Sequence, residues 1–486
     1  MPLRKCCLYK LIIFVFYLEH NRVIIFLENK DMFRVQIIDV VPLRKCYLYK
    51  LIIFVFYLEH NRVIIFLENK DMFRVQIIDL IYTQDLRNRY VVKVYGDTDI
   101  MSYTSYYQAQ EIKEILLQDN QFNWDQLWDI LNDEKKISID PEVRAKQAFA
   151  MFSQREIPTN AIMTKSAKRV ELYKIEKETF VPIFLTNYCD SQCKMCGMRK
   201  SNKDLIRKFS NRKHIIEQLS ILKDVDQVYG VGFLTGEYQD KYTRLTNAFY
   251  TGWAINQALE MGFQQVYFNI GSLTPDEIEV LSSWLPEGHE RITMCVFQES
   301  YNRSTFAKYM GKKKELIPKA DYDRRIQSFE SWLDAGFKAV NPGFLVGLHD
   351  PGEELVNILR HVSHLENRGA RISVSLPRLR PALNAVNQYI MVSDEDYVRL
   401  ISIIAYFSPQ SGIVLTTREN INFQDRVMPF VRTISPGSPD VAPYKRDSEA
   451  PNNEKSSQFL IPDHRRPIDI LQRLKDNGYQ FKYFKG

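Results

Sequence analysis

The sequence has few cysteines, no long apolar run and no dominant charge. Its 486 residues contain seven cysteines, too few for a disulfide scaffold, so we expect a reducing, cytoplasmic location. The net charge is +6, and no dense Lys/Arg run accompanies it, which argues against nucleic-acid binding. No apolar stretch reaches the length of a membrane span, about 18 residues. With 45% apolar and 26% charged residues, the composition is that of a globular protein.

The first eighty residues are a tandem repeat. Positions 2–39 and 42–79 carry the same text at an offset of 40 and differ only where Cys7 is replaced by Tyr47. Each copy holds two apolar runs typical of β-strands, at 11–18 and 23–27 in the first copy. Two near-identical copies indicate a recent duplication, since a solenoid needs about three. We predict that residues 1–80 are not part of the functional fold, which starts near Met72 or Met101.

The rest of the chain divides by its hydrophobic pattern into three parts. Residues 81–178 predict a helical lead-in, with apolar positions such as Ile112, Ile115, Trp124 and Leu127 at helical spacing and Pro141 at a helix start. Residues 179–420 alternate short apolar runs with amphipathic stretches. Strands are predicted at 181–186, 228–234, 265–270, 292–297, 339–346, 372–376 and 412–416. Helices are predicted at 214–222, 242–261, 275–284, 322–335, 353–368 and 394–406.

This alternation predicts an α/β fold, a partial or full (β/α) barrel of parallel strands. Functional residues are then expected at the carboxyl ends of the strands. Residues 421–486 predict a small C-terminal unit: a loop with four prolines at 436–457, a strand at 458–461 and a helix at 467–476.

Three cysteines, Cys189, Cys193 and Cys196, lie within eight residues directly after the first predicted barrel strand. Structural zinc usually requires a second cysteine pair, which the chain lacks. A buried apolar core is a poor explanation because Asp190 and Lys194 share the segment. Three thiolates in one loop suit a 4Fe-4S cluster with one iron left open. Cys295, within a strand pattern, is predicted to be a core thiol.

The spacing C-x3-C-x2-C after the first strand resembles the radical S-adenosylmethionine (SAM) superfamily. The flanking residues Leu185–Cys189 and Cys196-Gly197 resemble its aromatic amino acid lyase branch. That branch contains the tyrosine lyase of thiamine synthesis, the tyrosine lyase of iron–iron hydrogenase maturation and a tryptophan lyase. The likeness runs from about Trp124 to Tyr479 and implies the radical SAM type of barrel.

Two further motifs resemble the SAM-binding segments of the family. Thr235-Gly236-Glu237 ends the second strand and resembles the T-G-E that receives the amino group of SAM, and Gln298–Tyr301 resembles Q-E-T-Y. By resemblance, the SAM-binding residues are Tyr188, Thr235, Gly236, Glu237, Glu299 and Arg325.

Two other motifs resemble the substrate-binding segments. Ser373–Ala382 includes Arg378 and Arg380 and is close to the branch's S-V-P-R-L-R-P-A, and Thr416–Glu419 resembles S-T-R-E. By resemblance Arg418 binds the substrate carboxylate, together with Ser435. Two arginines flanked by prolines at the end of a strand also suit an anion-binding corner.

Two positions depart from the family pattern. Phe184 stands where the family usually has a tyrosine near the amino group of the substrate, which leaves tyrosine, tryptophan or another amino acid open as substrate. The hydrogenase maturase also carries a second cluster on carboxyl-terminal cysteines, whereas this chain has no cysteine after Cys295. The resemblance therefore excludes that function.

The resemblance implies a carbon–carbon lyase that uses a 4Fe-4S cluster and SAM to generate a 5′-deoxyadenosyl radical and cleave a free aromatic amino acid. It also implies an electron donor of the flavodoxin or ferredoxin type and a partner protein of the same pathway, without nucleic acid or membrane. Two alternatives stay open: a non-catalytic iron–sulfur module for electron transfer or binding, and a membrane-attached protein anchored by the repeat.

Overall fold

The structure is a computed structural model. It describes residues 122–285, 290–311, 318–386, 389–437, 440–443 and 455–486, together with the backbone of seven strands between residues 13 and 94. The helix predicted around Ile112 and Ile115, and most of the proline-containing loop, lie outside the described residues. In the described part of the chain no helix is both long and apolar enough to span a bilayer.

The repeat forms an antiparallel sheet. Its strands are β1 (Ile13–Leu18), β2 (Arg22–Asn29), β3 (Met32–Asp39), β4 (Ile52–Leu58), β5 (Arg62–Asn69), β6 (Met72–Tyr82) and β7 (Tyr90–Val94). They are arranged in the order β3-β2-β1-β4-β5-β6-β7, so the two copies meet through β1 and β4. The two strands predicted in each copy are confirmed, and each copy has a third. Whether this segment contributes to function stays a prediction.

The lead-in consists of α1 (Trp124–Asn132), α2 (Pro141–Ser153) and α3 (Thr159–Leu172). Asn123 and Gln126 form a capping box at the start of α1, and Asp140 caps α2, whose first residue is Pro141 as predicted. These caps satisfy backbone N–H groups that would otherwise lack partners in the first helical turn.

Ten parallel strands form the second sheet. They are β8 (Lys177–Thr179), β9 (Val181–Phe184), β10 (Gly230–Leu234), β11 (Gln265–Asn269), β12 (Ile292–Glu299), β13 (Ala339–Phe344), β14 (Arg371–Ser375), β15 (Gly412–Thr416), β16 (Thr433–Ser435) and β17 (Phe481–Lys482). From β9 to β16 each strand pairs with the next in chain order, and β8 and β17 follow β16. The sheet is a partial barrel, which confirms the predicted fold class and all seven predicted strands.

Helices connect the barrel strands and cover the sheet. They are α4 (Arg212–Ser220), α5 (Lys241–Glu260), α6 (Pro275–Ser282), α7 (Arg303–Met310), α8 (Tyr322–Asp334), α9 (Pro351–Asn367), α10 (Asp394–Phe407), α11 (Ile421–Val427) and α12 (Pro467–Asp476). The predicted helices are confirmed, while α7 and α11 are additional short ones. Each begins at an asparagine that accepts a hydrogen bond from the helix backbone, Asn302 or Asn420.

The lead-in is joined to the barrel by a buried arginine. Arg399 on α10 is 1% exposed and donates hydrogen bonds to the carbonyl oxygens of Phe152, Ile157 and Gln154 at the end of α2 and in the turn after it. The hydrogen bonds from the guanidinium to these carbonyl groups offset the free-energy cost of burying its charge.

The strand predicted at 458–461 is wrong. This segment makes isolated bonds to two loops instead of a ladder, because Gly197 N–H donates to the Gln458 carbonyl at 2.9 Å and Leu460 N–H donates to that of Pro381 at 2.8 Å. It therefore passes across the carboxyl ends of the barrel strands, next to the cysteine loop.

Candidate active site

The carboxyl ends of the barrel strands enclose a cavity of about 200 Å³. This volume is far larger than the 10–15 Å³ or so that a single water requires on the same measure. Ten of the thirteen sequence-predicted site residues line it: Cys189, Cys193, Cys196, Thr235, Gly236, Glu237, Glu299, Arg380, Arg418 and Ser435. We call the three cysteines with Glu237, Glu299 and Lys319 the cofactor wall, and Arg380, Arg418, Ser435 and Phe459 the substrate wall.

The cysteine loop is fixed by side chains on either side of it. Asn187 donates from Nδ2 to the carbonyl groups of Ile206 and Ser456, each at 2.8 Å, and accepts from Lys208 N–H at 2.7 Å. Thr186 Oγ1 accepts from Tyr188 N–H at 3.1 Å. The short polar side chains between the strand and the first cysteine thus replace a regular ladder in holding the loop.

The three cysteine thiols are free, and N–H donors border those of Cys189 and Cys196. Ser191 N–H and Glu237 N–H lie 3.4 Å from Cys189 Sγ, and Gln458 Nε2 lies 3.6 Å from Cys196 Sγ. Burial raises the pKa of each thiol, so a bound cation is needed to keep them as thiolates. Hydrogen bonds from N–H donors to cysteine sulfur atoms are typical of iron–sulfur cluster sites.

Within the described residues, no three Cys, His or acidic side chains converge on a position for one metal ion. That result agrees with a cluster, because each thiolate of a cubane binds a different iron and the three sulfur atoms need not meet at one point. The donor set of three cysteines therefore fits a 4Fe-4S cluster better than a single zinc ion.

Glu237 directs a carboxylate into the cavity from the end of β10. Its Oε1 accepts from Arg325 Nη1 at 2.7 Å, while its buried Oε2 has no hydrogen-bond partner. Burial alone raises the pKa of Glu237, but the charges of Arg325 and Lys319 outweigh it and hold that pKa below its usual value. An ionised carboxylate with an unused oxygen suits a ligand ammonium group.

Two glycines allow close packing around Glu237, one against the cysteine loop and one against the carboxylate. A Cβ at Gly236 would lie 2.0 Å from the Tyr188 carbonyl oxygen, so a glycine is required where β10 meets the cysteine loop. Gly271 has φ +92°, and a Cβ there would lie 2.2 Å from the Glu237 carboxyl carbon. Sequence reasoning identified Gly236 and missed Gly271.

Lys319, absent from the sequence prediction, bridges the acidic residues of the cofactor wall. Its Nζ lies 2.5 Å from Glu299 Oε1 and 3.7 Å from Glu237 Oε1. Burial and the Arg325 charge lower the pKa of Lys319, but the carboxylates outweigh them, so the pKa lies above its usual value. A lysine twenty residues after Glu299 has no motif signal, because only the fold brings the two together.

The substrate wall contains an arginine without an acidic partner in the described part of the chain. Arg418 lies just past β15, donates to the Arg378 carbonyl at 3.3 Å and stacks on Phe459, with its guanidinium carbon 3.4 Å from the ring centroid. Burial lowers the pKa of Arg418 to about 10, so the side chain is still charged at neutral pH. Such a guanidinium suits a carboxylate ligand.

The two arginines of the R-L-R segment have different environments. Arg378 is ion-paired to Asp394 at 2.6 Å and to Glu419, lies near the rings of Tyr397 and Phe423, and is absent from the cavity lining. Arg380 lines the cavity and shares Glu419, at 2.9 Å. The two arginines therefore do not form the predicted anion-binding corner. Arg378 is ion-paired with Glu419 and Asp394 outside the cavity lining, and of the two only Arg380 faces the cavity.

Two further predicted residues do not reach the cavity. Tyr188 is 50% exposed and lies outside it. Arg325 is fully buried behind Glu237, with its remaining donors on the Phe297 carbonyl group. Arg325 therefore orients Glu237 from behind, and the basic residue that lines the cavity beside Glu237 is Lys319.

Ser435 reaches the cavity through the short strand β16. It lies opposite Thr416 in the parallel register of β15 and β16, and both line the cavity near Arg418. The aromatic residues that line the cavity are Phe180, Phe184, Phe233, Tyr267, Phe268, Phe297 and Phe459. Phe184 also packs against Met198 and Leu205, so its ring supports the cysteine loop.

Cys295 is buried in β12, as expected for a core thiol, but it also lines the cavity. Sequence analysis placed Gln458 and Phe459 in a predicted strand of the C-terminal unit and assigned them no role in the site. In the structure they contact Cys196 and Arg418, respectively, because the tail crosses the mouth of the barrel.

Comparisons with known proteins agree with this arrangement. Residues 375–480 match the family Biotin and Thiamin Synthesis associated domain. The 2-iminoacetate synthase of Escherichia coli (strain K12) is 26% identical over 314 residues, which cover 62% of this chain and 76% of that protein. The crystal structure of HydG, a maturase of the FeFe-hydrogenase, superposes with a TM-score of 0.65 at 26% identity and covers 77% of this chain and 80% of that one.

The chain is similar to lyases of the radical SAM superfamily, in particular to the aromatic amino acid lyase branch. The crystal structure of methylornithine synthase shares the fold, with a TM-score of 0.56 at 15% identity over 73% of this chain and 97% of that one. The chain is an enzyme, a lyase that uses a 4Fe-4S cluster and SAM, and the alternative of a non-catalytic iron–sulfur module is set aside.

Proposed function

We propose that this radical SAM lyase cleaves the Cα–Cβ bond of free L-tyrosine to give p-cresol and 2-iminoacetate. The observation that carries the proposal is that one cavity holds three cysteines, the carboxylate of Glu237 and the guanidinium of Arg418, which forms no ion pair with the described residues. The likeness to 2-iminoacetate synthase supports this product, and the Biotin and Thiamin Synthesis associated domain supports a role in thiamine biosynthesis.

The cofactor wall would bind both cofactors. Cys189, Cys193 and Cys196 would hold three irons of the cluster, and Glu237 Oε2 would accept a hydrogen bond from the amino group of SAM. When bound, the reduced cluster and SAM supply a 5′-deoxyadenosyl radical. Lys319 and Arg325 keep Glu237 ionised and oriented, so that the carboxylate does not have to reorganise when the ligand arrives.

The substrate wall would fix the orientation of the amino acid. Arg418 would bind the carboxylate, with Arg380 and Ser435 beside it, and Phe459 holds the Arg418 guanidinium flat against its ring. The aromatic lining offers an apolar surface for the substrate ring and excludes water. Which bond faces the radical then depends on how the carboxylate is held, a positioning effect.

In the proposed reaction the substrate nitrogen would lose a hydrogen atom, which ends in 5′-deoxyadenosine. The resulting nitrogen radical would break the Cα–Cβ bond and form the C=N bond of 2-iminoacetate. The released 4-hydroxybenzyl radical takes one electron and one proton to become p-cresol. The electron comes from an external one-electron donor.

A second candidate is the tryptophan reaction, in which the carboxyl fragment migrates to give 3-methyl-2-indolic acid. It is favoured by the position of Ser435, which lines the cavity beside Thr416, and by Phe184, which cannot provide the tyrosine hydroxyl. Ser438 and Pro439, which resemble the tryptophan type in sequence, lie outside the described residues.

The test is anaerobic reconstitution of the full chain with iron and sulfide, followed by turnover with SAM, dithionite and one amino acid at a time. Formation of p-cresol from tyrosine is expected, identified by mass spectrometry. Formation of 3-methyl-2-indolic acid from tryptophan would select the second candidate. A fully loaded cluster that yields neither product would contradict both.

A further inference from the structure

The segment that begins in the cysteine loop and folds back along it carries an excess of positive charge. Residues 188–213 contain eight Lys or Arg and only two acidic residues, Asp190 and Asp204, so this segment has a net charge of +6, as large as that of the whole chain. Two of its lysines are ion-paired, Lys200 with Asp190 and Lys208 with Asp440.

This surface combines charge with exposed apolar side chains. Tyr188 is 50% exposed, Ile206 46% and Phe209 50%, and the exposed lysines Lys194, Lys203 and Lys213 lie in the same segment. We call these six residues the basic face. In the described part of the chain, none of its three lysines has an acidic partner within ion-pair distance.

The basic face lies next to the cluster ligands. Phe209 forms a β-bridge with Thr186, and Asn187 bonds to the backbone of Ile206 and Lys208, so residues 206–209 run alongside the start of the cysteine loop. Lys194 stands between Cys193 and Cys196, with its N–H on the Tyr309 carbonyl at 2.9 Å. Cys189 and Cys196 are only partly buried. A protein bound here would be close to the cluster.

We propose that the basic face docks an acidic one-electron carrier protein that reduces the cluster. In the step, the carrier loses one electron, the cluster gains one, and no atom is transferred. Opposite charges speed the encounter, and exposed aromatic and aliphatic side chains supply the contact area of a small, transient interface. The proposal rests on the proposed function only through the cluster and is independent of the amino acid substrate.

The experiment measures cluster reduction without SAM or amino acid. The reconstituted full chain is mixed with a reduced acidic flavodoxin in a stopped-flow instrument, and the reduced cluster is verified by electron paramagnetic resonance. The test variant is Lys203→Glu with Lys213→Glu. The matched control is Lys168→Glu with Lys338→Glu, since these exposed lysines lie on α3 and before the amino end of β13.

At low ionic strength we expect the test variant to be reduced at least about tenfold more slowly than the parent, and the difference should shrink as salt screens the charges. The control variant, and reduction of either variant by dithionite, should match the parent. Carbodiimide cross-linking should join Lys203 or Lys213 to carboxylates of the flavodoxin.

Three results would overturn the proposal. These are equal reduction rates for test variant and parent, an equal loss in the control variant, or an equal loss with dithionite, which would place the effect on the cluster instead of on docking. Because no lyase turnover is involved, a failure here is distinguishable from a failure of the tyrosine reaction.

Discussion

The cofactor wall and the substrate wall differ in how their charges are satisfied. In the cofactor wall, Glu237 and Glu299 are paired with Lys319, and Glu237 also with the buried Arg325. In the substrate wall, Arg418 has no acidic partner in the described part of the chain, and burial lowers its pKa. One wall is thus assembled from mutually compensated charges, and the other keeps a positive charge for an anion.

Removing a charge should therefore have opposite consequences for folding at the two walls. A charge that compensates another buried charge contributes to folding, because its loss leaves the partner buried and unpaired. A buried charge that has no partner until a ligand binds lowers the stability of the fold, and its role is to bind the ligand.

Glu237→Ala should lower the free energy of unfolding by about 3 to 5 kcal/mol, because Arg325, which is fully buried, then loses its acidic partner. Urea denaturation followed by circular dichroism measures this change. Replacing both residues, as Glu237→Leu with Arg325→Leu, should recover much of the loss. An unchanged stability in the single variant would show that the cofactor wall is not held together by this pair.

The support behind Glu299 should respond to pH. Glu354 accepts from Ser300 Oγ and from Tyr301 N–H, directly after Glu299, and burial raises its pKa to about 7 from the usual value of 4.5. Since the folded state binds this proton more tightly, the stabilisation is complete below pH 4.5 and is lost as the pH rises through 7. Its size is roughly 3 kcal/mol.

Glu354→Gln should remove this pH dependence, so the variant should gain stability relative to the parent between pH 5 and pH 8. Urea denaturation at both pH values measures the difference. A parallel pH dependence in parent and variant would assign the effect to another group.

Arg418→Ala should reduce product formation by about 100-fold, because the substrate carboxylate loses its guanidinium partner. Binding of SAM, measured by equilibrium dialysis, should be retained, and the free energy of unfolding should not fall. Arg473→Ala, which breaks a surface pair with Asp425, is the matched control and should leave turnover unchanged. An unchanged product yield for Arg418→Ala would contradict its role.

Gln458→Leu should make the smallest change, a lower reduction potential of the cluster. The amide of Gln458 donates to Cys196 Sγ, and hydrogen bonds to the cluster sulfur atoms stabilise the reduced, more negative state. Potentiometric titration monitored by electron paramagnetic resonance measures the shift. A potential equal to that of the parent would mean that this contact does not act on the cluster.

The barrel strands and the cysteine loop follow from local sequence. Strands such as Gly412–Thr416 are short apolar runs bounded by turn residues, and helices such as Pro467–Asp476 have both a proline start and a glycine after the end, so local chemistry sets their bounds. Cys189, Cys193 and Cys196 lie within eight residues, so their proximity needs no tertiary information.

Which charged residues face the cavity depends on contacts between distant segments. Arg378 and Arg380 are two positions apart and both pair with Glu419, yet Arg378 also pairs with Asp394 and lies outside the cavity lining, whereas Arg380 lines the cavity. Lys319, Gly271 and Gln458 have no local signal, because their partners are distant in sequence. The physical reason is that a charge in a protein interior is defined by its partners, and those partners are brought together only by the closing of the barrel.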